Sequence, residues 1–125
     1  MSAGALAAIV AALTTHAGVA GVCEAACRAL VNVLCDETAI AACVEKRAVP
    51  ALVVALATHA GDANVCEVAC WALGKCARYE AGTSACMEAG AASAIAAALT
   101  AHAGAADVCD AACKALCNLA LSDAG

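Results

Sequence analysis

The string Val65-Cys66-Glu67-Val68-Ala69-Cys70-Trp71-Ala72-Leu73 has two near copies in the chain. The earlier is Val22-Cys23-Glu24-Ala25-Ala26-Cys27-Arg28-Ala29-Leu30, and the later is Val108-Cys109-Asp110-Ala111-Ala112-Cys113-Lys114-Ala115-Leu116. Successive copies lie 43 residues apart, at Cys23, Cys66 and Cys109. A fixed period of about 40–47 residues marks stacked groups of two or three helices. Such a unit cannot bury its apolar face alone, so its neighbours must cover it.

The rest of each unit repeats in phase. Ala5 to Leu13 aligns with Ala48 to Leu56 and with Ala91 to Leu99. Leu6, Ile9, Val10 and Leu13 have helical spacing. Each of these stretches ends on the same triplet: His16-Ala17-Gly18, His59-Ala60-Gly61 and His102-Ala103-Gly104. Glycine just past a helix is the expected stop, and a histidine in the last turn suits the negative end of the helix dipole.

Composition agrees. Hydrophobic residues make up 66% of 125, with no Phe, one Trp, one Tyr and one Pro. Alanine, the best helix former, supplies half of that fraction. The core must therefore come from close helix approach over small side chains, filled by Leu, Val, Ile and Cys. The reading is all-α.

Helices are expected over 5–16, 22–35, 38–45, 49–59, 64–78, 83–88, 92–102 and 107–121. Ala26, Leu30 and Val33 form the expected buried stripe of the second. Val31 falls on its open face with Glu24, Arg28, Asn32 and Cys35. Asp62, Asn64 and Asp107 are suitable caps, and Pro50 fits a first helical turn. Residues 122–125 are expected to fray. The chain is one domain, 1–125, with units at about 1–35, 36–78 and 79–125. The first unit lacks its opening short helix.

The formal net charge is −5, from 6 basic and 11 acidic groups. The basic residues are scattered, whereas phosphate backbones need them clustered, so nucleic-acid binding is not expected. The 11 cysteines are an odd number and cannot all pair within one chain. Cys23/Cys27, Cys66/Cys70 and Cys109/Cys113 sit at i, i+4, a spacing poorly aimed for a disulfide on a helix. Reduced thiols point to a cytoplasmic or nuclear location. Met1 to Cys23 carries no charged residue, yet it lacks a basic start and recurs mid-chain. It is read as structure, not as a signal or a membrane span.

At this point the residues resemble the armadillo repeat family. Val65-Cys66-Glu67 with Ala69-Cys70-Trp71-Ala72-Leu73 is similar to that family's third-helix string. Cys86-Met87-Glu88-Ala89-Gly90-Ala91, followed by Ile95 and Leu99, is similar to the string joining its first two helices. The resemblance implies a right-handed α-solenoid of about three repeats, each with a short, a middle and a long helix. It also implies a concave groove along the long helices that holds extended peptides through a Trp and, one turn later, an Asn. Here the Trp place holds Arg28, Trp71 and Lys114, and the Asn place holds Asn32, Lys75 and Asn118.

These six residues are the expected groove of a non-catalytic protein-interaction module, with a protein or peptide as partner and no cofactor. The strip reads as locally basic, which suggests an acidic or phosphorylated peptide. Trp71 is the candidate hot spot. Its competing reading is packing near Arg28 or Lys114, as a cation–π contact.

An alternative is a metal or redox role for the thiols. Stacked long helices would put Cys23, Cys27, Cys66, Cys70, Cys109 and Cys113 in one column, and soft thiolates hold Cu(I) or Zn(II). Successive pairs would then lie about 8–10 Å apart, too far to complete one tetrahedron. Small buried hydrophobes are the simpler reading of these cysteines. Helix capping is likewise the simpler reading of the three histidines, against a surface ladder.

Catalysis would need a thiol beside a base, but each histidine recurs identically and marks no unique site. A further alternative is a fragment, or a designed or minimised array, with no partner of its own. Leu6, Ile9 and Leu13 have no unit before them to cover them. Exposed solenoid ends associate, so a homodimer or end-to-end assembly is expected.

Overall fold

The computed structural model describes residues 3–124, with side chains from 4 to 121. Among the described residues there are eight helices and no strand. They are α1 (Ala3–Thr15), α2 (Ala20–Val33), α3 (Glu37–Glu45), α4 (Ala48–Thr58), α5 (Ala63–Cys76), α6 (Glu80–Ala89), α7 (Ala91–Ala101) and α8 (Ala106–Ala124). No single described helix is long and apolar enough to cross a membrane.

Like packs on like. The long helices α2, α5 and α8 stand side by side, as do the middle helices α1, α4 and α7. The short helices α3 and α6 pair with each other. Each middle helix also packs on the long helix that follows it. The architecture is an all-α solenoid, and one core runs through it from Leu6 to Leu119.

Most helix ends lie within two residues of expectation. α6 starts three residues early, at Glu80, because Tyr79 already adopts the extended backbone of a cap. α8 runs through Ala124, beyond the expected fraying point, while Gly125 lies outside the described residues. Of the expected caps, Asp62 serves: its carboxylate accepts from the N–H groups of Asn64 (3.0 Å) and Val65 (3.2 Å). Asn64 therefore sits inside α5. Asp107 falls in the first turn of α8 instead of before it. A carboxylate there still meets the positive end of the dipole.

Gly90 links α6 to α7 at φ +75°, where glycine meets no steric penalty. Arg47 holds the aligned place between α3 and α4 at φ +68°. A non-glycine residue there costs about 1 kcal/mol, which the packed helices on either side must offset.

Two burial expectations change. Val31, expected on the open face of α2, is 4% exposed, whereas Val33 is only half-buried. The reason is α5, which covers the flank of α2 that carries Cys27, Leu30 and Val31. Leu6 and Leu13, expected to lack cover, are buried, and Ile9 is half-buried. They face α2 and α4 inside the solenoid, not its open end.

Candidate peptide-binding groove

The groove exists because two long helices approach over small side chains. A Cβ placed on Gly74 of α5 would lie 3.2 Å from the Cα and Cβ of Ala115 on α8. With no side chain on Gly74, the pair forms a floor, and larger residues rise on both sides. The resulting groove has a volume of about 410 Å³. Trp71, Lys75, Lys114 and Asn118 line it. Arg28 and Asn32 lie one helix away on α2, outside this groove. Glu67, Arg78, Asp107 and Asp110 also line it and were not anticipated. The signal was present: Glu67 and Asp110 sit four residues before Trp71 and Lys114, and so on the same faces.

Two of the expected contact residues serve as staples between units. The Lys75 ammonium donates to the carbonyl of Val31 at 3.0 Å, and the Asn118 amide donates to the carbonyl of Gly74 at 2.9 Å. Both bonds span 44 residues and have the same geometry one unit apart. Arg78 makes a third, donating to the Leu34 carbonyl at 2.9 Å. These carbonyls belong to the last turns of α2 and α5, where intrahelical partners run out. Asn32, at the same place in the first unit, is exposed.

The strip is not basic in effect. Arg28 pairs with Glu24 at 3.1 Å and Lys114 with Asp110 at 3.0 Å. Lys75 is committed to the Val31 carbonyl and also lies 5.8 Å from the centre of the Trp71 ring. The cation beside Trp71 is thus Lys75 of its own helix, not Arg28 or Lys114. Glu67 and Asp107 carry no ion pair among the described residues. Even with Lys75 alongside, Trp71 is 47% exposed.

The repeated histidines and thiols meet at shared carbonyls. His59 donates through Nε2 to the Ala17 carbonyl at 2.8 Å, and His102 does the same to Ala60 at 2.8 Å. The Cys23 thiol donates to the same Ala17 oxygen at 3.3 Å, and Cys66 to Ala60 at 3.5 Å. Cys109 reaches Ala103 at 3.4 Å. The His59 and His102 rings therefore tie their units to the one before, instead of capping their own helices. Each of these thiols caps the helix that precedes its own.

Burial pushes the Cys27 and Cys70 thiols up to about 12 and the Cys86 thiol up to about 11. Desolvation raises Cys23, Cys43, Cys66 and Cys76 as well. These thiols are neutral at pH 7, whereas metal ligation and nucleophilic attack need the thiolate. Cys113 is exposed, with no described helix packed over its face of α8. Among the described residues no group of three or more His, Cys, Asp or Glu side chains could hold a metal ion.

Residues 36–78 match the family model for the Armadillo/beta-catenin-like repeat. No curated protein and no solved structure matches the chain. Armadillo repeats are in general protein-interaction scaffolds, typically without enzymatic activity. The matched unit shares its histidine and its thiol cap with the units on either side, and together with the match this supports an armadillo-repeat assignment.

Proposed function

We propose that the groove between α5 and α8 binds an extended peptide of a protein partner, with a cationic side chain of that peptide against Trp71. The reading extends along the long helices to Arg28 and Asn32 on α2. The observation that carries it is the half-exposed Trp71 beside two carboxylates, Glu67 and Asp107, that have no counter-ion among the described residues. A Lys or Arg placed there gains the ring face and both negative charges. An acidic or phosphorylated peptide would meet those carboxylates while every cation of the strip is already engaged. Asn118 sets the spacing of the α5 and α8 walls through its staple, and Lys75 joins α5 to α2 in the same way.

The test is calorimetric titration of peptide panels that differ only in the residue facing the groove: Lys, Arg, Ala, Glu or phosphoserine. Basic peptides are expected to bind best. Trp71→Ala is expected to weaken the best of them about 30-fold, the loss typical of a hot-spot aromatic. Equal binding by wild type and Trp71→Ala removes the ring from the site, and preference for Glu or phosphoserine overturns the cationic reading. Trp71 is the chain's one Trp. Its fluorescence therefore reports peptide arrival independently of the heat.

A further inference from the structure

We propose that a second copy of this chain docks head to tail on the first, in the register that already joins its own units. The inference does not depend on the groove binding a peptide. It comes from comparing equivalent positions in the three long helices.

One stripe faces the following unit. In α2 it is Cys27, Leu30, Val31 and Leu34, and in α5 it is Cys70, Leu73, Gly74 and Ala77, all buried. In α8 the same places are Cys113, Leu116, Cys117 and Ala120, and none is buried. The opposite stripe faces the preceding unit. In α5 it is Val65, Val68 and Ala72, and in α8 it is Val108, Ala111 and Ala115, again all buried. In α2 the same places are Val22, Ala25 and Ala29, which are exposed or half-buried. The two stripes left open are therefore the two halves of an interface this chain already makes twice.

The staples are also in place. His16 stands where His59 and His102 stand, and Asn32 where Lys75 and Asn118 stand. Neither side chain has a hydrogen-bond partner among the described residues. The Ala103 carbonyl accepts from Cys109 and keeps the lone pair that its equivalents give to a histidine. Docked in register, His16 of the second copy donates to Ala103 of the first, and Asn32 donates to Cys117. α2 then packs on α8 as α5 packs on α2, and α1 packs on α7 as α4 packs on α1. No described short helix precedes α1, so among the described residues this contact lacks the short-helix packing of the joints within the chain and is weaker than they are. Such a contact is heterologous and does not close on itself, so it grows into open chains.

Sedimentation equilibrium under reducing conditions tests the proposal. The average mass is expected to rise above the 12.0 kDa monomer with concentration, without stopping at two copies. Ala25→Arg blocks the front stripe and Cys117→Arg the back. Both residues are exposed, so each variant is expected to keep its helical signal and melting temperature. Each variant alone is expected to remain monomeric, while an equimolar mixture forms dimers and stops there. His16→Ala is expected to weaken association about 3- to 10-fold, as for one lost hydrogen bond. Alkylation of Cys113 and Cys117 is expected to slow as concentration rises. A wild type that stays monomeric into the millimolar range overturns the proposal. So does self-association of Ala25→Arg when Cys117→Arg has none, because that pattern means back-to-back pairing. An unchanged His16→Ala overturns the register.

Discussion

Replacing Gly82 with alanine is expected to lower the unfolding free energy by about 3 kcal/mol, shifting the melting midpoint by roughly 10 °C. The sign runs against helix propensity. Gly82 lies in the first turn of α6, and alanine is favoured over glycine inside a helix by about 1 kcal/mol. The space decides otherwise. A Cβ there would overlap the backbone carbonyl of Cys76 in the last turn of α5. No side-chain rotation relieves a backbone clash, so α5 and α6 must part. Gly61→Ala is the control: it has open space around it, and its change should stay within about 0.5 kcal/mol. Thermal unfolding followed by circular dichroism measures both. A Gly82→Ala protein as stable as wild type would show that α6 does not press on the end of α5.

The second large effect is a contrast between equivalent leucines. Leu73→Ala in the middle unit is expected to cost about 3 kcal/mol, since a fully buried leucine leaves a cavity that its neighbours only partly fill. Leu116→Ala, at the same place in the last unit, is expected to cost about 1 kcal/mol, because its side chain is only half-buried and water replaces the lost methyls. Urea unfolding at low micromolar concentration, below any association, gives both values. Equal costs would mean that Leu116 is covered by something the solenoid does not supply, and the end of α8 would have to be redrawn.

Helix order, unit length and family resemblance were legible because they depend on periodicity, and Cys23, Cys66 and Cys109 mark that periodicity without ambiguity. The buried stripes were legible in part. Val31 was misjudged because a helix's own pattern does not say on which flank the neighbouring helix will lie. Arg47 and Gly90 align in the sequence, yet nothing in an arginine announces a left-handed backbone. The close approach at Gly82 was equally hidden, because Ala39 occupies the aligned place in the preceding unit.

The site was less legible than the fold. Trp71 could be singled out as the one large aromatic on a helix of small residues. The roles of Lys75 and Asn118 could not, because their partners are backbone carbonyls 44 residues away, and carbonyls leave no trace in a sequence. The same blindness made the strip look basic. Counting Arg28, Lys75 and Lys114 missed that each is already engaged. Histidine capping was the natural reading of a triplet ending in Gly, and only the neighbouring unit shows where the ring goes.

The account stands on one contact being made repeatedly at a constant offset along the chain. Nuclear magnetic resonance of the histidine rings tests this most directly. The Nε2 protons of His59 and His102 are expected to be protected from exchange and to show through-space contacts to Ala17 and Ala60, with His16 unprotected in dilute solution. Ring protons of His59 and His102 that exchange as freely as those of His16, or that contact only their own helices, would contradict it.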